Sequence, residues 1–493
     1  MGEKRNILLI TADQWRGDCL GTLGHPVVAT PQLDALAQRG VLFSRHFANA
    51  VPCGPSRASL HTGLYLHNHC SGTNGTPLDR RFSNWALELK QAGYEPAVFG
   101  YTHTAPDPRG LDTNHPSLTT DEGVLPGIKP VIDMGTHCPD WRNWLEERGY
   151  EVPPTDGETY AVRQSIAEGP DVPRALLWDR EHTDTRFLTD QVLDYVDQHN
   201  SGNGWAVHLS LRAPHPPWVA PDPYHRRYPI DTLPPPARHP TAEMEGALHP
   251  WLAQCLGSGR NQSHSDDRRH RLLQAGYYGL MAEVDDNMGR LLAHLDGNGE
   301  LESTLIIFTS DHGEQMGDHW LYGKMGFFDQ SFHVPMIVAG PGVAPGRIDR
   351  FTEHVDIMPT MLEWLGLRCP RQCDGQSLAP FLNGREPASW RDAAHFEYDF
   401  RHSQAETSLD LNMETACLNV IRDHEYKYVH FAGLQPLLFD LEKDPHELTD
   451  ASAAQPAVAA EYAGRLLSWR LEHTDKTLSH ITVTKEAGLT VRD

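Results

Sequence analysis

The run Leu305-Ile306-Ile307-Phe308-Thr309-Ser310-Asp311-His312-Gly313 sets five strand-forming residues directly before a polar turn. An unbroken apolar run of this length, with no polar alternation, suits a parallel strand buried on both faces. The same texture recurs at residues 6–10, where Asp13-Gln14 follows, and at 41–46, 96–99, 205–210 and 334–338. Helical patterns lie between these runs. Thr30-Pro31 starts one that Gly40 ends, Trp85, Leu89 and Ala92 mark a second, and Leu280, Val284, Met288, Leu291 and Leu295 share a face of a long one over 272–295. A capped helix is expected over 356–365. Strands alternating with helices predict an α/β fold, a mostly parallel central sheet sandwiched by helices.

The texture changes near residue 390. Residues 426–431 and 437–441 read as a hairpin, a helix follows near 461–471, and a polar tail runs to the end. Two units are therefore expected, an α/β domain over 1–385 and a smaller C-terminal α+β domain over 386–493. The stretch 104–173 is Pro- and Gly-rich and reads as irregular. With 221–266 it is expected to shape a pocket wall.

The chain has 493 residues, with 42 Lys plus Arg against 66 Asp plus Glu, a formal net charge of −24. Such a surface repels nucleic acid and anionic lipid, so neither is an expected partner. A small anionic substrate remains compatible, because it responds to the local field of its pocket. The eight cysteines are sparse and have no zinc-finger pairing, so they are expected to be reduced thiols in a cytoplasmic protein. No apolar run approaches the roughly 18 residues that span a bilayer.

Asp13-Gln14 and Asp311-His312 both fall just past the carboxyl ends of expected strands, where open α/β sheets place their ligands. Alone, either aspartate reads equally well as a cap or a turn residue. Together they would hold one divalent cation. Val51-Pro52-Cys53-Gly54-Pro55-Ser56-Arg57 leads into a helix expected over 58–63, so Cys53 would sit in the positive field of a helix start with Arg57 one turn on, which favours an anion.

The Cys53-x-Pro55-Ser56-Arg57 signature resembles that of the type I sulfatases of the alkaline phosphatase superfamily. Residues 309–314, 355–360 and 438–441 resemble that family's blocks, in its order. Asp13-Gln14-Trp15-Arg16, Gly100-Tyr101-Thr102, Pro214-His215-Pro216-Pro217 and Gly323-Lys324 are most similar to the phosphonate monoester hydrolases, which also cleave phosphodiesters. The resemblance implies a dedicated formylglycine-generating enzyme as maturation partner, formylglycine at Cys53 as nucleophile, and a covalent intermediate that collapses by carbon–oxygen cleavage. It implies Asp13, Gln14, Asp311 and His312 as metal ligands, with the matured Cys53 as a further one. Arg57 would steady the nucleophile. Asn74, Tyr101 and Thr102 would contact substrate, and His215 and Lys324 would contact non-bridging oxygens or assist the leaving group. A homodimer or homotetramer is implied as well.

Two ligand carboxylates with an amide and an imidazole suit Mn2+ better than Ca2+. Tyr101 stands where sulfatases place a lysine, and both points favour phosphonate monoesters and phosphodiesters. His103 favours the alternative, sulfate ester hydrolysis, since the phosphonate hydrolases carry threonine there and a histidine would serve as general base. A non-catalytic anion-binding relative is disfavoured, because Cys53, Arg57 and both metal pairs are present. His61, His67 and His69 lack ligand spacing and are expected to be structural or surface residues.

Overall fold

The structure is a computed structural model that describes residues 5–135, 138–163, 171–199, 204–257, 259, 261–475 and 477–491. Eight strands form the main sheet, in the spatial order Gly346–Ile348, Val41–Phe43, Met336–Ala339, Thr304–Thr309, Asn6–Ala12, Ala206–Leu211, Ala97–Gly100, Lys129–Asp133. Met336–Ala339 runs antiparallel to both its neighbours and the other pairings are parallel. The apolar runs explain the burial. Leu8, Ile10, Ile306 and Phe308 enter the core on one face, while Ile7, Leu9, Leu305 and Ile307 enter the core on the other. Each central strand thus contributes side chains to two cores, which is why no polar alternation is present to be read.

Several boundaries differ from the sequence reading. The strand expected at 41–46 ends at Phe43, and His46–Phe47 joins a separate three-stranded sheet. The strand expected at 334–338 breaks at Pro335, which has no N–H to give a ladder, into His333–Val334 and Met336–Ala339. The region 104–173, of which 136–137 and 164–170 lie outside the described residues, contains the edge strand Lys129–Asp133 and the helix Pro139–Glu147. That strand is largely exposed and carries Pro130, so it has no buried run to reveal it. The tail holds an antiparallel hairpin, Ile481–Thr484 with Gly488–Val491.

The hairpin expected near the C-terminus is present, Tyr426–Phe431 with Leu437–Asp440, inside a five-stranded sheet. That sheet takes its last strand, Ala50–Val51, from the segment just before Cys53, paired parallel to Glu397 and Tyr398. The helix Pro456–Glu472 packs Tyr462, Leu466 and Trp469 against this smaller sheet. None of the eight cysteines is in a disulfide. Among the described residues no helix is long and apolar enough to cross a membrane.

Candidate active site

Thr11 pairs with Thr309 in the parallel register of the two central strands. Two residues further on, both chains leave the sheet, and Asp13 and Asp311 emerge side by side, each about fully buried. Arg57 inserts between them. Its Nε donates to Asp311 Oδ2 at 2.9 Å and its Nη2 to Asp13 Oδ2 at 3.2 Å, while Nη1 reaches Ser210 Oγ at 2.8 Å and the Tyr101 carbonyl at 3.2 Å. The Tyr101 hydroxyl donates to Asp13 Oδ2, and its ring lies 4.4 Å from the Arg57 guanidinium carbon.

Arg57 belongs to the helix Cys53–Thr62, every residue of which is buried. The helix therefore starts at Cys53 itself, five residues earlier than expected. Ser56 Oγ donates to the Asp311 carbonyl, and Asn74 Oδ1 accepts the Gly54 N–H at 2.9 Å, so the first turn is tied from both sides. Gly63 closes the helix in the left-handed region, φ 69°, where a side chain would be strained. Cys53 Sγ ends 3.1 Å from His312 Nε2 and 3.3 Å from Lys324 Nζ.

Asp13, Cys53, Asp311 and His312 offer ligand atoms that all lie within 4.8 Å of one another, every one buried. Asp13 Oδ1 has no hydrogen-bond partner there, although a buried carboxylate oxygen without one is costly. His312 gives its Nδ1–H to the Gly313 carbonyl at 3.0 Å, which turns the Nε2 lone pair toward both aspartates, 3.7 Å from each. An orphaned carboxylate oxygen facing an oriented imidazole fits a divalent cation. Gly313 makes this turn possible, since a Cβ there would fall 2.0 Å from the Gln330 carbonyl oxygen.

Gln14 occupies the left-handed region at φ 71°, unusual for a residue with a side chain. Its N–H is held by Asp311 Oδ1 at 3.1 Å and its carbonyl by the Tyr277 hydroxyl at 2.7 Å. The buried Glu314 then fixes the amide. It accepts Gln14 Nε2, the Met316 N–H at 2.8 Å and the Gly323 N–H at 2.7 Å, so the amide oxygen faces Lys324 Nζ at 2.8 Å. Sequence reasoning missed Glu314. Its only signal was a carboxylate within the 309–314 block. Glu314→Gln should reduce metal per chain and lower kcat/KM by about 10- to 100-fold, the usual cost of losing a group that orients a ligand. Elemental analysis with steady-state kinetics checks this, and unchanged values in both would leave Glu314 a purely structural residue.

The electrostatics correct one expectation. Burial pushes the Cys53 thiol up to about 12, and Asp13 adds to the shift, outweighing Lys324 and Arg57. An unmodified Cys53 is thus a neutral thiol near pH 7 and a poor nucleophile. Burial also raises the Asp13 carboxyl, but His215, Lys324, His312 and Arg57 around it together outweigh that and hold Asp13 well below the usual carboxylate range. Lys324 stays charged, since Cys53, Asp13 and Asp311 overcome its burial. His215 is held down to about 3 by burial and by Lys324, and its Nδ1 bonds the Pro216 carbonyl at 2.8 Å. His103 is lowered by burial and then by Arg57, and its Nε2 sits 3.6 Å from Asp121 Oδ2 with no hydrogen bond.

The structure thus gathers Asp13, Gln14, Cys53, Arg57, Tyr101, Asp311, His312 and Lys324 at one point. Asn74 meets the cluster through the Gly54 N–H. Thr102 departs from expectation, because its hydroxyl donates to the Gly123 carbonyl at 3.1 Å and accepts the Leu125 N–H at 2.8 Å. It fastens a loop and has no hydroxyl hydrogen left for a substrate. His61, His67 and His69 are structural. His61 accepts Trp85 Nε1–H at 2.9 Å, His69 meets Ser59 at 3.1 Å, and His67 meets Glu397 at 3.0 Å.

Residues 5–367 match the family described as Sulfatase, and residues 317–470 match N-sulphoglucosamine sulphohydrolase, C-terminal. The chain is 40% identical to the multifunctional alkaline phosphatase superfamily protein PehA of Trinickia caryophylli, over 99% of each. It is 28% identical to an arylsulfatase of Clostridium perfringens, over 91% of this chain and 90% of that one. The crystal structure of the phosphonate monoester hydrolase of Agrobacterium radiobacter superposes with a TM-score of 0.94 at 44% identity, covering 99% of this chain and 100% of that one.

Proposed function

Because the chain belongs to the sulfatase family and is a hydrolase of ester bonds, we propose that it hydrolyses phosphonate monoesters and phosphodiesters through a covalent intermediate. The observation that carries this choice is Tyr101, whose hydroxyl rests on Asp13 and whose ring covers Arg57. With tyrosine there, Lys324 is the lysine that meets the cluster. One lysine ammonium suits an ester that carries a single negative charge. The likeness to a phosphonate monoester hydrolase along the whole chain supports the same reading.

Asp13, Gln14, Asp311 and His312 would hold a divalent cation, for which this donor set favours Mn2+ over Ca2+. A bound cation would supply positive charge at the reacting oxygens, and formylglycine at position 53 would supply a hydroxyl nucleophile. Arg57, fixed by both aspartates, keeps the first turn of its helix aimed at the cluster. Lys324 neutralises a non-bridging oxygen of the substrate. His215 starts as a neutral imidazole, and an anionic substrate beside it raises its affinity for a proton that the leaving alkoxide then takes. Tyr101 walls off Arg57 from water, and Asn74 holds the start of the helix.

His103 supports a second reading, sulfate ester hydrolysis, since its buried Nε2 is unpartnered and available to a hydroxyl at the nucleophile. The deciding measurement is kcat/KM for an aryl methylphosphonate and an aryl sulfate with the same leaving group. Phosphonate should lead by at least about tenfold, a difference of roughly 1.4 kcal/mol in transition-state binding. A clear sulfate preference would transfer the assignment to the second reading and make His103 the deciding residue.

A homo-oligomer goes with this proposal, and the exposed Leu467, Leu471, Leu478, Val483, Leu489 and Val491 near the C-terminus are the surface that supports it. So does maturation by a formylglycine-generating enzyme in the cytoplasm.

A further inference from the structure

Several buried or half-buried arginines of this chain are matched to carboxylates, and Arg212 is one of those that are not. Arg57 bonds Asp13 and Asp311, Arg16 bonds Asp18 and Asp318, and Arg391 bonds Asp356. Arg212 directly follows the strand Ala206–Leu211, at the sheet edge that carries Asp13 and Asp311, and among the described residues it has no carboxylate in ion-pair reach. Its guanidinium carbon lies 4.6 Å from the centre of the Tyr160 ring, and Nη1 is 4.0 Å from Cys138 Sγ. Its buried Nε has no acceptor at all. In a chain with 66 acidic side chains against 42 Lys plus Arg, an unmatched cation at a sheet end is not explained by a shortage of partners.

The Asp184 carboxyl beside Tyr160 is committed elsewhere. Asp184 accepts the Tyr160 hydroxyl at 2.7 Å and the Thr185 N–H at 2.8 Å. Burial also raises the Asp184 pKa, which makes it a weak counter-ion. The Arg212 carbonyl accepts the His215 N–H at 2.8 Å, and Ser210, two residues upstream, bonds Arg57, so Arg212 is tied to the candidate site on the chain itself. A guanidinium has five donors in a planar fork that fits a carboxylate or a phosphate with two parallel bonds. Leaving the buried Nε of such a fork without an acceptor is unfavourable, and an arriving anion removes the penalty.

We propose that Arg212 binds a second anionic group, a carboxylate or a phosphate, carried on an ester arm of the substrate that lies past Tyr101 and His215. This rests on the phosphonate and phosphodiester reading and narrows it. The preferred substrates are esters with one charge at the reacting phosphorus and another a few bonds away. The net charge of −24 repels such a substrate at long range, so a short-range cation beside the reacting group is what retains it.

The test compares the purified protein with Arg212→Met and Arg212→Lys on three aryl methylphosphonates. One has an uncharged ring, one a ring carboxylate and one a ring phosphate, and taking wild-type-to-variant ratios cancels leaving-group electronics. Arg212→Met should lower kcat/KM at least about 30-fold on a charged ring, chiefly through KM, and less than about fourfold on the uncharged one. Arg212→Lys, which keeps charge but not the fork, should fall between. Whichever charged ring loses more identifies the group. Equal losses on all three esters overturn the proposal and make Arg212 a prop for Tyr160, as does no loss on any. Calorimetric binding of an aryl phosphonate that bears a carboxylate reads the site without turnover. A Kd raised at least about tenfold in Arg212→Met supports the subsite, and an unchanged Kd overturns it even where none of the esters is cleaved.

Discussion

Cys53→Ala is expected to fold and to lose at least about 10^4 in kcat/KM, the scale on which removal of a nucleophile acts in hydrolases with covalent intermediates. The folded core tolerates the change because Cys53 fills little space at the first position of its helix. The activity does not, because position 53 is the proposed nucleophile and its Sγ sits between His312 and Lys324. The same position predicts what active preparations contain. A thiol pushed up to about 12 is protonated at neutral pH, so chains that keep the cysteine contribute almost no turnover. Peptide mass spectrometry across residue 53 should therefore find the aldehyde, and specific activity should scale with its fraction. Full activity in material whose Cys53 is wholly unmodified would sink the mechanism.

Asp311→Ala should be the most damaging single change to both metal content and stability. Asp311 accepts from Arg57 Nε, the Gln14 N–H and the His312 N–H. Its loss leaves the buried Arg57 with Asp13 alone and frees the strained turn at Gln14. Breaking a buried ion pair from one side costs about 3–5 kcal/mol, a large share of a typical folding free energy. Metal per chain should fall close to zero, and the urea midpoint should drop. Asp311→Asn keeps the shape and most of the hydrogen bonds, so it should lose metal with less loss of stability. Equal metal content in wild type and both variants would remove Asp311 from the ligand set.

The positions of Asp13 and Asp311 were legible because a parallel register carries the strand ends to one edge, and an apolar run announces each strand. Cys53, Arg57 and Lys324 were legible through motif resemblance. What was not legible depends on contacts distant in the chain. Glu314 gains its role from a turn at Gln14, 300 residues away, whose left-handed backbone no local pattern announces. Thr102 looked like a substrate contact by its place next to Tyr101, but Gly123 and Leu125 take its hydroxyl. A sulfur anion at Cys53 is disfavoured because desolvation at a fully buried position, with the Asp13 charge added, exceeds the pull of Lys324 and Arg57. The strand break at Pro335 was hidden because Val334 and Met336 on either side are both apolar and buried, each in a different sheet.

Val51, two residues before Cys53, pairs with Tyr398 in the smaller sheet. During synthesis that partner does not exist until about 350 further residues have been made, which takes roughly 20 to 70 seconds at bacterial or eukaryotic elongation rates. For that interval the Cys53 segment lacks the strand that later closes over it. The chain order thus sets a clock: under the proposed maturation, the strand beside Cys53 would stay unpaired and within reach of the modifying enzyme until Tyr398 is made.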